Sequence, residues 1–135
     1  MTALALLGYA AWTLALLCGI AGLRVALTVS RRRAPNKFAP SGDDVSPFSG
    51  RLCRAHANCY ENLPIFASLA LLALITNHAP VTDPLAPLVL AARIAQSVTH
   101  LSSTSVRAVQ VRFAFFLVQC VIQSIWVLRL AIALF

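Results

Sequence analysis

Residues 51–64 read RLCRAHANCYENLP and continue without a break into residues 65–75, IFASLALLALI. The first stretch is dense in charged and amide side chains, the second almost pure hydrocarbon. Ionisable groups at depth in a membrane helix are expensive and usually functional. On an ideal helix Arg51, Arg54, Asn58 and Glu61 fall within about 80° of one another. They form one polar stripe on an otherwise apolar cylinder, and the stripe must face something other than lipid.

The rest of the chain fixes the class. It has 135 residues, 59% of them apolar and 11% charged, enough for one small domain, residues 1–135. Four segments carry membrane-type patterns: 3–29, 52–75, 85–105 and 113–135. Each is close to or above the about 20 helical residues that span a bilayer. None alternates with period two, so a barrel is excluded and helices are expected. The pattern predicts an all-α integral membrane protein, a bundle of four transmembrane helices. The first segment lacks a basic n-region and its apolar stretch is too long for a signal sequence, so it reads as a retained span.

Charge placement predicts orientation. Arg31, Arg32, Arg33 and Lys37 lie in the connection 30–50, which is broken by Pro35, Pro40, Gly42 and Pro47. Arg107 and Arg112 flank the last turn, whereas residues 76–84 carry no Lys or Arg. The positive-inside rule then puts the 30–50 loop in the cytoplasm and both termini on the other side. The net charge of +7 sits where topology demands it, so it argues for anionic headgroups and not for nucleic acid. On the same grounds Arg51, nearest the water, reads as a topological cation.

A second stripe faces the first. Arg93, Gln96, His100 and Arg107 fall within about 60° on an ideal helix. Glu61 is the one acid inside any span, and it reaches a depth similar to Arg93, so the two are expected to pair. Spacing leaves two readings open for these stripes, helix-to-helix glue and the walls of a ligand site. Four arginines against one acid favour an anionic ligand, because a guanidinium binds carboxylates in a bidentate fork. His56 and His100 are open to the same two readings, while Gln119 and Gln123 read as interhelical glue. Cys18, Cys53, Cys59 and Cys120 show no C-x-x-C spacing, so neither a metal site nor disulfides are expected. No Ser-His-Asp set, glycine-rich phosphate loop or carboxylate pair is found.

The run Arg51-x-x-Arg54-Ala55-His56-x-Asn58-x-x-Glu61-Asn62-x-Pro64 closely resembles the signature of the MAPEG family, membrane-associated proteins in eicosanoid and glutathione metabolism. Length, four spans and the basic first connection agree over essentially the whole chain. The resemblance implies a homotrimer with glutathione as co-substrate in clefts between protomers, and a lipophilic small-molecule second substrate arriving from the lipid. It implies glutathione contacts for Arg24, Arg54, Asn58, Glu61 and Arg93, with Gln96 and His100 on the facing wall. Arg107 takes the position of the family's catalytic arginine near the thiol, and no metal is implied. The expected activity is that of a glutathione transferase or peroxidase, in a bacterial inner membrane as a multi-pass protein.

This chain departs from the pattern at several places. His100 stands where eicosanoid-pathway members have a tyrosine, Gln96 where an aromatic or histidine stands, Asn62 where a tyrosine can follow the glutamate, and Ala108 where some members have serine. These argue against prostaglandin or leukotriene synthesis. The alternatives are a non-catalytic member of the same fold that binds lipid or a partner, and a small multidrug exporter. Exporters of that size work through a glutamate in the first span, which this chain lacks.

Overall fold

The computed structural model describes residues 1–134. Five helices follow one another: α1 (Thr2–Val29), α2 (Pro47–Ile75), α3 (Ala79–Thr82), α4 (Ala86–Ser102) and α5 (Val106–Leu134), with a 3₁₀ turn at Pro35–Lys37. Helices α1, α2 and α5 are long and apolar enough to cross a membrane. The span expected over 85–105 is shorter. Helix α4 has 17 residues, about 25 Å at 1.5 Å per residue, and ends where Ser103 turns extended. Its polar side chains are also why it is less apolar than the others: Arg93, Gln96, Ser97 and His100 are all buried against protein.

The local chemistry explains the helix ends. Ser46 caps α2, its hydroxyl accepting from the Ser49 amide at 3.1 Å, and Pro47 occupies the first turn where no amide is needed. Helices α1 and α2 both close with the C-terminal motif in which a left-handed residue sends two amides back along the helix. Arg31 (φ 55) and Asn77 (φ 61) are those residues. In α1 the Arg32 and Arg31 amides reach the Leu27 and Thr28 carbonyls; in α2 His78 and Asn77 reach Ala73 and Leu74. Pro64 lies inside α2, which continues through it, leaving the Tyr60 carbonyl without its usual amide partner.

The loop after α1 is tightly built despite its helix breakers. The Asp44 carboxylate takes the Arg33 guanidinium and the Ala39 amide, and Arg24 and Arg33 both lie over the Phe38 ring, at 5.5 and 5.3 Å. The Ala39 amide and the arginine charges hold the Asp44 carboxyl below its ordinary range.

Helix α1 packs on α2 and α4, and α4 packs on α2 and α5. Tyr9, Phe66 and Trp126 run through the centre, with ring centroids 5.1 and 5.9 Å apart. Small residues let the backbones approach around them: Ala5, Ala55, Ala70, Ala73 and Ala86 are all buried. Gly8 marks a close approach of α1 to α4, since a methyl there would come within 2.7 Å of Leu90 Cδ2. The outer faces carry exposed Leu4, Leu7, Val25, Val121, Leu128 and Ile132, which suits lipid and not water.

At the opposite end from that loop, Asp83 staples the start of α1 to α3. One of its oxygens accepts from the terminal ammonium (2.9 Å), the Thr2 amide (2.7 Å) and the Thr2 hydroxyl (2.7 Å), and the Thr2 and Thr82 hydroxyls meet at 2.7 Å. These donors, the Thr2 amide first, hold the carboxyl at about 2 against an ordinary 3.8. A carboxyl lowered on folding adds stability that is complete above its ordinary value and lost as pH falls towards the lowered one. The thermal midpoint of the detergent-solubilised protein should therefore drop between about pH 4 and pH 2. Asp83→Asn should lower the midpoint by a few degrees at pH 7 and remove that acid-dependent part.

Candidate functional site

A groove of about 630 Å³ opens between α2, α4 and α5. Four residues of the two predicted stripes line it: Asn58 and Glu61 from α2, Gln96 and His100 from α4. The α5 wall supplies Arg112, Phe113, Phe116, Cys120 and Gln123. The groove carries His100 and Arg112 where α4 ends and becomes more apolar towards Ile65 and Val127, where Gln123 and Ser124 are its polar groups.

A chain of amides and one guanidinium joins the three walls. Asn58 Oδ1 accepts from Arg93 Nη1 and from Gln96 Nε2, each at 3.0 Å. Gln96 Oε1 accepts from Gln119 Nε2 at 2.9 Å, and Gln119 Oε1 accepts from Asn62 Nδ2 at 3.4 Å. The glutamine glue expected on α5 is thus present in Gln119. An amide fits each of these positions because it both donates and accepts, so the chain can cross from helix to helix without a stranded charge.

Arg93 is the exception, a charge with neutral partners. It is 1% exposed and donates through Nη1 to the Asn58 carbonyl and side-chain oxygens, both at 3.0 Å, while the Tyr9 ring lies 5.5 Å from its guanidinium carbon. The expected pairing with Glu61 does not form. Among the described residues no carboxylate bridges Arg93, and its Nε and Nη2 have no partner. The reason is geometric. Arg93 turns into the protein towards α1 and α2, whereas Glu61 lies on the exposed face of α2.

The remaining predicted residues are scattered. Arg54 is exposed, with Nη2 4.0 Å from Asp43 Oδ2. Arg24 donates to the Ala39 carbonyl at 3.1 Å and lines a second groove of about 510 Å³ with Cys53, His56 and Tyr60. Arg107 is exposed on the first turn of α5 and does not line the large groove. Arg51, read above as a topological cation, does more, since its Nε donates to the Leu101 carbonyl at 2.8 Å and satisfies the end of α4. The four cysteines are free, and the described residues contain no cluster of metal ligands.

Sequence reasoning missed Arg112. Its Nη1 lies 2.6 Å from His100 Nδ1. Arginine has no acceptor, so Nδ1 must be unprotonated and His100 is a neutral ring in this arrangement. The signal was present in the sequence: Arg112, Gln119 and Gln123 fall within about 40° on an ideal helix. It was masked because Arg112 also fitted the charge rule for topology.

Long apolar helices enclosing a buried polar network define an integral membrane protein of the helical class. The sequence profile of the MAPEG family matches residues 2–132, and the chain belongs to that family. No curated protein and no solved structure matched the chain.

The Asn58–Arg93 contact carries a checkable energy. Asn58→Leu removes the side-chain acceptor of the buried guanidinium and leaves only the backbone carbonyl; it should destabilise the protein by about 2 kcal/mol, as loss of a hydrogen bond to a charged group does. Adding Arg93→Met should restore most of that loss, because the under-bonded charge is then gone as well. Thermal unfolding of the three variants in detergent measures both steps.

Proposed function

We propose that this protein binds glutathione and activates its thiol towards lipophilic electrophiles or hydroperoxides, as a membrane-bound transferase or peroxidase. The observation that carries the reading is the groove itself. Asn58, Glu61, Gln96 and His100, picked out as a binding wall from two separate stretches of sequence, line one cavity with a polar and an apolar end. Such a cavity suits a polar tripeptide at one end and a hydrocarbon partner at the other. Family membership adds weight, since the family includes glutathione transferases and peroxidases as well as non-catalytic members.

The assembly belongs to the same proposal: four spans in each protomer, both termini on the non-cytoplasmic side, three protomers around an axis. Glu61 supports it. A carboxylate on the outer face of a membrane helix is costly against lipid, and a neighbouring copy covering that face would remove the cost. Arg54 shares this exposed side of α2. Covering it would also turn Arg54 from a surface group into the wall of an intersubunit cleft, and with a half-buried Arg24 contributed to that cleft the arginines could fork the carboxylates of the tripeptide. Arg93 acts indirectly in this scheme, by holding Asn58.

Glutathione supplies the nucleophile, a thiol that is ordinarily mostly protonated at neutral pH. A cation next to the sulfur favours the thiolate. By position in the motif this cation is Arg107. The thiolate then forms the bond to the electrophile's carbon as the leaving group departs with its electron pair. The neutral His100 and the amide of Gln96 line the wall where that charge develops and can donate to it.

Calorimetry of glutathione on the detergent-purified protein, followed by turnover with a generic electrophile, tests the reading. Binding and turnover are both expected. Silence in both assays favours the second reading, a non-catalytic member, to which the position of Arg107 outside the groove lining gives some support. Arg107→Ala should abolish the ultraviolet absorbance of bound thiolate while leaving much of the binding; retained absorbance removes Arg107 from the mechanism.

A further inference from the structure

Among the described residues five buried side-chain nitrogens have no hydrogen-bond partner: Nε1 of Trp12 and Trp126, Nε and Nη2 of Arg93, and Nε2 of Gln123. Only one of these residues, Gln123, lines the large groove. The residue is 5% exposed and lines the groove with Ile65, Cys120, Ser124 and Val127, one turn beyond Gln119, the α5 member of the amide network. An unsatisfied amide donor in such a place costs more than a leucine of the same size. The neighbouring amide Gln119 is fully engaged within the protein, bonded to Asn62, Gln96 and the Phe115 carbonyl. Gln123 is one turn further on and has no comparable use for its NH₂ group.

The geometry points to Gln123 as a specificity-determining residue whose amide donates to an acceptor oxygen on an extended lipophilic ligand in this groove. Arg112 and Gln123 are 11 residues apart on one face of α5, about 16 Å along the axis. Phe113, Phe116 and Cys120 line the groove between these two levels. A saturated chain of about twelve carbons spans that distance. The occupant is therefore a linear apolar molecule with a carbonyl, hydroxyl or ether oxygen near the end that enters first. The other end lies near Gln96, His100 and Arg112. That this other end is the reacting one rests on the thiol chemistry proposed above; the oxygen contact does not, and it is tested without glutathione.

Two probes differing by one oxygen make the test, 2-dodecanone and dodecane. Each is titrated into the detergent-solubilised protein and followed by the fluorescence of Trp126, one turn from Gln123, in a Trp12→Phe background. The ketone should bind about fivefold tighter than the hydrocarbon, the effect of one net hydrogen bond. Gln123→Leu and Gln123→Met should each erase that preference while leaving dodecane binding unchanged or improved. A preference that survives both substitutions, or one absent from the unsubstituted protein, overturns the assignment. Infrared spectroscopy of carbonyl-labelled 2-dodecanone keeps the test open should both variants fail to fold. Its C=O stretch should move to lower frequency on binding the protein with Gln123 intact, and an unshifted band overturns the proposal.

Discussion

The buried guanidinium of Arg93 is the constraint on which the arrangement of the helices depends. A charge in the interior of a membrane protein must be given hydrogen-bond acceptors, and here they come from one residue of the neighbouring helix, through both the backbone and side-chain oxygens of Asn58. That contact sets the register of α4 against α2. With the register set, Gln96 falls beside Asn58, Gln119 reaches Gln96, and α5 is drawn onto the same network. The groove is what remains open on the outer side of these contacts. Its polar end exists because the network needs polar residues there, and its apolar end because α5 changes to Phe, Val and Cys.

Two features of the site follow from this arrangement. The first is a division of labour among arginines: Arg93 holds structure, Arg51 caps α4, and Arg112 faces the groove. The second is the exposed position of Glu61. Among the described residues no group pairs with this acid, although it lies on a helix otherwise built for lipid.

Much of the fold was legible because hydrocarbon length and helix breakers leave few choices. The start and stop of α2 follow from Ser46, Pro47 and Asn77, and its polar stripe is a matter of 3.6-residue periodicity. The extent of α4 was harder to read. Its pattern continues through Ser103–Ser105 in the sequence, but three consecutive hydroxyl residues compete for backbone hydrogen bonds, and Ser105 instead accepts from the Ala108 amide to begin the next helix. Asn58, Glu61, Gln96 and His100, expected on two facing walls, line one groove. Arg112 was not placed there, because the charge rule already explained it.

The sequence by itself determined that the chain is helical and membrane-embedded, where its ionisable residues fall around each helix axis, and which family it belongs to. The first two follow from local periodicity and composition and the family from the motif at residues 51–64 with the profile match, none of which needs a contact between helices. Only the tertiary structure decided which residues meet. Glu61 and Arg93 had opposite charges and similar depth, yet helix rotation turned one outward and the other towards α1. Arg112, one cation among several, became a groove residue through the packing of α5 on α4. Helical spacing gives angles within one helix, whereas a contact depends on how two helices are turned towards each other, and that is set by the burial of Arg93 and the close packing of the alanines around it.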